Sequence, residues 1–279
     1  MAEQLGRQLA EARRVGLRPR IGRAAASLGR PATLAVLATE DPVEQRFVRI
    51  KQSGFREAGL ELVSSPVPRT AGTTEMLERI AALNADPAID GIFLQFPLPL
   101  GVEPQRCADA LVPRKDIDAS GNINLGRLLA GGARYRPAAP AAVLALLDAA
   151  LGSLRGRSII VVGAEQVVER CIVLLGVGAG ATLCILPPDD PTLPDAAAGA
   201  DAVVITGDVP PGDALRHAKS GAVLLDAGYF LPPRPAGWLP ARITEHSGTY
   251  LPQYGNVGPL TVSFLMESVL AAALPGEPS

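Results

Sequence analysis

The chain switches repeatedly between short unbroken apolar runs and longer stretches whose apolar residues fall three and four apart. Residues 2–28 carry Leu5, Leu9, Val15 and Ile21 at loose helical spacing, which predicts a helix with a bend or break near Gly16 to Pro19. PATLAVLAT (31–39) is a continuous apolar run, the pattern of a strand buried on both faces. Glu40, Asp41 and Pro42 then signal a helix start, Phe47, Val48, Ile50 and Phe55 supply a face, and Gly59 supplies a stop. LELVSSPV (60–67) reads as a second strand, 73–86 as a helix capped by Thr73, and IDGIFLQFPLP as a third strand. Strands alternating with helices imply parallel pairing through right-handed crossovers. After a helix over 138–154, the alternation resumes: a strand at SIIVVG, a turn, a helix, and apolar strands at 200–207 and 222–228. This second series suits an open, doubly wound sheet. A strong helical pattern over 261–274 closes the chain.

Composition narrows the class. With 279 residues, 48% of them hydrophobic, the chain suits two modest domains. No apolar run reaches the ~18 residues of a membrane span. The opening MAEQLGRQLAEARRVGL, with Glu3 and Glu11, has neither the apolar core nor the cleavage site of a signal peptide. A net charge of −2, no basic block and 4% aromatics speak against nucleic acid as a partner. Cys107, Cys171 and Cys184 are odd in number, scattered and set among apolar neighbours, which predicts buried thiols, not a disulfide framework or zinc site. The two histidines, His217 and His246, read as surface or helix-end residues. A cytoplasmic location is the expectation.

The chemistry-bearing residues gather in four motifs. RFVRIK places Lys51 one helical turn beyond Phe47, where a lysine is ordinarily solvated and a phenylalanine ordinarily core. LQFPLPLGVEPQ ends a strand on the amide of Gln95, beside Pro97 and Pro99, which cannot donate to a ladder and so leave a stiff open rim. VPRKDIDASGNINLGRL brings Asp116 and Asp118 just downstream. YGNVGPLT reads as a loop entering a helix, with Gly258 permitting close backbone approach and Pro259 in the first helical turn.

In order and spacing these motifs resemble the bifunctional methylenetetrahydrofolate dehydrogenase/methenyltetrahydrofolate cyclohydrolase family, over nearly the whole chain, with the QFPLP and PRKDID pair the most specific part. The resemblance implies an α/β fold of two α/β domains with a cleft between them, the second a Rossmann-like parallel sheet. It places a folate-binding catalytic domain at 1–145 plus 263–279 and a dinucleotide-binding domain at 146–262, in a homodimer. It implies a tetrahydrofolate derivative as substrate, Lys51 as the central acid/base, Gln95 as its orienter and Asp118 as anchor for the amino-pyrimidine edge of the pterin. Phe47, with Gly258 and Pro259, would wall the substrate. Lys115 and Asp116 are expected to be structural.

Departures from the family pattern carry their own expectations. Phe47 stands where the family has Tyr, keeping the ring and deleting the hydroxyl. Ala119-Ser120 replaces Gly-Phe, and Tyr254-Gly255-Asn256 replaces Pro-Gly-Gly. The dinucleotide turn should read Gly-Arg-Ser-x-x-Val-Gly; here Gly163 is followed by Ala164 and Glu165, and Glu169 holds the last glycine position. Two acids then stand where a pyrophosphate should approach a helix N-terminus, at a cost on the order of a few kcal/mol per ~4 Å pair before screening. Asp189 and Asp190 remain as potential ribose ligands, favouring NAD over NADP. The expected enzyme therefore keeps methenyl-tetrahydrofolate hydrolysis, while its NAD- or NADP-dependent oxidation is impaired or lost. Two alternatives stay open on sequence alone: a diverged enzyme using a one-carbon unit in specialised biosynthesis, and a non-catalytic protein binding folate or a partner chain.

Overall fold

The computed structural model describes residues 4–163, 167–206, 218–228, 248–252, 255–274 and 276. The chain divides into two compact units, Glu11–Ala138 with Val262–Ser279, and Met1–Ala10 with Ala139–Thr261.

In the first of these, β1 (Thr33–Thr39), β2 (Glu61–Val67) and β3 (Gly91–Leu94) form a parallel sheet in the order β2-β1-β3. β1 is central and buried at every position, as its unbroken apolar run requires. α1 (Leu5–Leu28) runs without a break through Pro19, contrary to the sequence expectation. Its buried residues in this unit are Leu17, Ile21 and Ala24, and Val15 is 46% exposed. Pro19 lies on the exposed side, and packing of the opposite stripe holds the helix across the missing N–H.

α2 (Pro42–Ala58) begins where its signals predict. Asp41 accepts from the Val43 N–H at 2.9 Å, Pro42 fills the first turn, and Gly59 closes the helix at φ 84°. Its buried stripe is Glu44, Val48, Lys51 and Phe55, not the expected Phe47, Val48, Ile50 and Phe55. Ile50 is 54% exposed and Phe47 is half-buried on the flank. α3 (Thr73–Ala85) is entered at Gly72; the Thr73 hydroxyl accepts instead from the Glu103 N–H at 2.9 Å, at the start of α4 (Pro104–Asp109).

Residues 113–118 form turns that touch β3 at one parallel bridge. The Ile92 N–H donates to the Lys115 carbonyl at 2.7 Å, and Ile92 bridges Asp116 in parallel. Gly91 permits this approach, because a Cβ there would stand 2.7 Å from Ile117. Lys115 is fully buried and its Nζ donates to the carbonyls of Leu83, Asn84 and Asp86 at 2.9, 2.9 and 2.7 Å, closing the end of α3. The Asp116 carboxyl accepts from Ser120 N and Oγ, Gly121 N and Asn124 Nδ2, which shapes the entry to α5 (Asn122–Leu129). Both residues are structural.

The second unit holds β4 (Ser158–Val162), β5 (Thr182–Leu186), β6 (Ala202–Ile205), β7 (Val223–Asp226) and β8 (Thr249–Leu251), all parallel in the order β5-β4-β6-β7-β8. The chain leaves β4 for β5 on one side and returns to β6 on the other. That reversal creates a switch point at the carboxyl ends of β4 and β6, where open α/β sheets receive ligands. α6 (Ala138–Leu151), α7 (Val167–Gly178) and α8 (Leu193–Gly199) accompany this sheet in the chain. Leu193 and Ala197 of α8 pack with Ile160, Val162, Val203, Ile205 and Leu224.

α9 (Val257–Ala273) starts four residues before the expected 261 and takes Gly258 and Pro259 into its first turn. The fully buried Asn256 fixes that start, accepting from Gly6 N at 2.9 Å and donating to the Pro252 carbonyl at 2.9 Å. Cys107 and Cys171 are buried as expected; Cys184, on the edge strand β5, is exposed, and all three thiols are free. Among the described residues no helix is long and apolar enough to cross a membrane, and no His, Cys, Asp and Glu group could hold a metal ion. His217 and His246 lie outside the described residues.

Candidate active site

Lys51 and Gln95 meet at the carboxyl end of β3. The Gln95 N–H donates to the Leu37 carbonyl at 2.8 Å, extending the β1–β3 ladder by one residue before Pro97 ends it. The Gln95 side chain is fully buried, and its Nε2 donates to the Phe96 carbonyl at 3.1 Å, which turns Oε1 away from that backbone. Lys51 reaches this oxygen from α2: Nζ donates to Oε1 at 2.6 Å and stands 5.6 Å from the centre of the Phe93 ring.

Lys51 is only 8% exposed. Burial lowers its pKa to about 8, against the opposing pull of the Asp118 and Glu44 carboxylates. Glu44 lies two turns before Lys51 on the same stripe and accepts from the Thr39 N–H at 3.0 Å. Its influence on Lys51 was not anticipated, although its seven-residue spacing from Lys51 is the signal that reveals it.

Asp118 is half-buried, in the turn that follows Lys115 and Asp116. One carboxyl oxygen accepts from the Ala138 N–H at 2.7 Å, at the start of α6. Burial pushes its pKa up to about 7; the Ala138 N–H pulls it down, Asp116 pushes it up, and the Lys51 ammonium pulls it down. The other oxygen makes no hydrogen bond among the described residues, so one is committed to the scaffold and the other is available to a ligand. Ala119, immediately after, sits at φ 51°, where the family's glycine would be unstrained.

Lys51, Gln95 and Asp118 thus belong to one unit and are electrostatically linked, with a near-neutral acid and a near-neutral amine together. Phe47 flanks Lys51 on α2. Beyond Gln95, Phe96 is 38% exposed and Leu100 is fully exposed, an apolar rim suited to a flat ring. Gly258 and Pro259 belong to the other unit.

The dinucleotide turn has a different character. Ala164 and Glu165 lie outside the described residues. Gly163 follows β4, and a Cβ there would stand 2.2 Å from Thr206 Oγ1 and 2.7 Å from Glu169 Oε1. Glu169, in the first turn of α7, is 4% exposed; Oε1 accepts from the Thr206 hydroxyl at 2.7 Å, and the buried Oε2 has no hydrogen-bond partner among the described residues. An acidic side chain with an unmet acceptor is a poor receiver for a pyrophosphate, which needs donors. Of the described residues at this turn, Glu169 does not fit a pyrophosphate. Asp190 offers little compensation: it accepts from the backbone and hydroxyl of Thr192, bonds that hold its pKa below the ordinary carboxylate value. Thr206, the partner of Glu169, gave no signal in the sequence.

Comparison with known proteins covers both halves of the chain. Residues 5–118 match the catalytic domain of tetrahydrofolate dehydrogenase/cyclohydrolase, and residues 137–275 match its NAD(P)-binding domain. The bifunctional protein FolD of Bordetella avium is 34% identical over 250 residues, covering 88% of this chain and 87% of its own. The FolD of Thermus thermophilus is 33% identical over 245 residues, covering 88% and 87%. A 5,10-methylenetetrahydrofolate dehydrogenase from the silkworm Bombyx mori superposes with a TM-score of 0.86 at 28% identity, covering 98% of both chains. Motifs, parallel sheets and both family matches agree: the chain belongs to the tetrahydrofolate dehydrogenase/cyclohydrolase family.

Proposed function

We propose that the protein acts on the one-carbon unit of tetrahydrofolate, chiefly by hydrolysing 5,10-methenyl-tetrahydrofolate to the 10-formyl derivative. The observation that carries this reading is the buried Lys51 Nζ held 2.6 Å from Gln95 Oε1. The methenyl carbon is already electrophilic and needs a positioned water and a proton acceptor. Neutral Lys51, accessible near its pKa of about 8, takes a proton as water adds to that carbon. The resulting ammonium, steadied by the Gln95 oxygen, returns the proton to the pterin-ring nitrogen as its bond to the carbon breaks, and the hydroxyl left on the carbon releases its own proton to solvent as the formyl C=O forms. The available Asp118 oxygen accepts from the pterin amino-pyrimidine edge, and Phe47 and the rim beyond Gln95 lie against the flat ring.

The family's other activity, NAD(P)-dependent oxidation of 5,10-methylene-tetrahydrofolate, needs a phosphate-accepting turn, and the buried acidic side chain of Glu169 above Gly163 speaks against one in this chain. Family matches over both halves do not favour specialised one-carbon biosynthesis or a purely folate- or partner-binding role. A cytoplasmic homodimer is the accompanying reading. The family resemblance supports the dimer, and three free cysteines support a reducing compartment.

The decisive experiment follows the absorbance of methenyl-tetrahydrofolate mixed with the protein. Hydrolysis faster than in buffer, lost in Lys51→Met, is expected. A well-folded protein that gives no acceleration removes the reading.

A further inference from the structure

We propose that Glu169 is a built-in stopper of the dinucleotide crevice: tied to Thr206, its side chain fills the place at the β4–β6 switch point where a pyrophosphate would lie, and shortening it reopens the site. The inference deepens the function proposed above but does not rest on it, because it concerns only the second unit.

Three observations converge. The first is position. Gly163 continues β4, Thr206 continues β6, and Glu169 lies in the first turn of α7, so the three surround the point where the sheet reverses its winding. Ligands of such sheets, and phosphates at helix N-termini, gather there. The second is contact. Glu169 Oε1 is hydrogen-bonded to Thr206 at 2.7 Å, and both side chains crowd the space above Gly163 so closely that even a Cβ would not fit. A glycine here usually lets a pyrophosphate approach the backbone; in this chain a neighbouring side chain takes that room. The third is the unmet acceptor. Glu169 is 4% exposed, yet Oε2 has no donor among the described residues. A buried oxygen without a partner is costly, and a phosphate offers it only further acceptors. The crevice is therefore both occupied and of the wrong polarity for an anion.

The test is calorimetric titration of the full-length protein with NAD+ and NADP+, with no folate present, so the result is independent of the hydrolase reading. The unsubstituted chain is expected to bind neither at millimolar concentration. Glu169→Gly should gain binding of at least one dinucleotide by about tenfold or more. Glu169→Gln, which keeps the bulk and removes the charge, should stay closed. Should Glu169→Gly fail to fold, as judged by its melt, Glu169→Ala decides by the same reading. Tight binding by the unsubstituted chain overturns the proposal, as does a small-residue variant that binds no better than its parent. Glu169→Gln binding as well as Glu169→Gly would show that charge alone closes the turn and would overturn the stopper.

Discussion

At the carboxyl end of β3, Lys51 meets the Gln95 amide at 2.6 Å; at the carboxyl ends of β4 and β6, Glu169 meets the Thr206 hydroxyl at 2.7 Å. Both are charged residue types buried where parallel strands end. Their partners differ in what they permit. Gln95 Oε1 accepts from an ammonium or from a neutral amine, so Lys51 keeps its bond while it gains or loses a proton. Burial meanwhile brings its pKa to about 8, where both states are accessible. Among the described residues Glu169 has a donor for one oxygen and none for the other, and its side chain crowds the space above Gly163. Burial alone does not make an ionisable group functional. The difference is whether the neighbourhood supports both protonation states and leaves space beside the group.

Lys51→Met attacks one side of this contrast directly and should have the largest effect. Turnover of methenyl-tetrahydrofolate falls about a thousandfold or more, while the melting temperature holds or rises because a buried amine is removed. Rates and a thermal melt on one preparation check both halves of the statement.

Lys115→Met sharpens the comparison from the other direction. Lys115 is also buried, but its three carbonyl partners together take up all three N–H donors of the ammonium, so it serves stability. The substitution should cost about 2–4 kcal/mol in a urea titration, because the end of α3 loses three bonds. A melt unchanged from the parent would contradict the role assigned to it.

Asp118→Asn tests the link between the two near-neutral groups. Asp118 has a raised pKa in the fold, so between 3.8 and about 7 the folded chain holds a proton that the unfolded chain has released. Its contribution to stability is fully present below 3.8 and is lost as pH rises through about 7. Asparagine keeps an acceptor for the Ala138 N–H and removes the titration, so the variant should melt above its parent at pH 8 and match it near pH 3.5. The carboxylate also raises the Lys51 pKa, so the rising limb of the rate profile, set by loss of the Lys51 proton, should move below about 8. A limb that stays in place would uncouple the two residues.

Phe47→Tyr is the mildest intervention. It restores the hydroxyl of the family pattern beside Lys51, and a gain in turnover of about two- to fivefold is expected, worth about 1 kcal/mol of hydrogen bonding. An unchanged rate would show that this flank of α2 contributes only its ring.

Much of this architecture was written in the hydrophobic pattern. β1 is an unbroken apolar run because both faces are covered, and α2 carries its own start and stop in Asp41, Pro42 and Gly59. The buried face of α2 was not legible, because it includes Glu44 and Lys51. Apolar residues alone pointed to Ile50, and a helix that buries charge for chemistry breaks the binary rule at that place. Short helices were missed for another reason: α4 and α5 begin where partners outside the helix, Thr73 and Asp109, hold the chain. Lys51, Gln95 and Asp118 were found by resemblance and not by spacing. The Thr206 bond to Glu169 spans 37 residues with no motif to announce it.

The clasp of Lys115 on the last carbonyls of α3 has a consequence for the neighbouring aspartate. Only two residues separate Lys115 from Asp118, in a turn bridged to β3 at Asp116, so the reach of Asp118 is calibrated by where α3 stops. A substitution around Leu83 or Asn84, remote in sequence from any substrate contact, would therefore surface as altered folate affinity before it surfaced as unfolding.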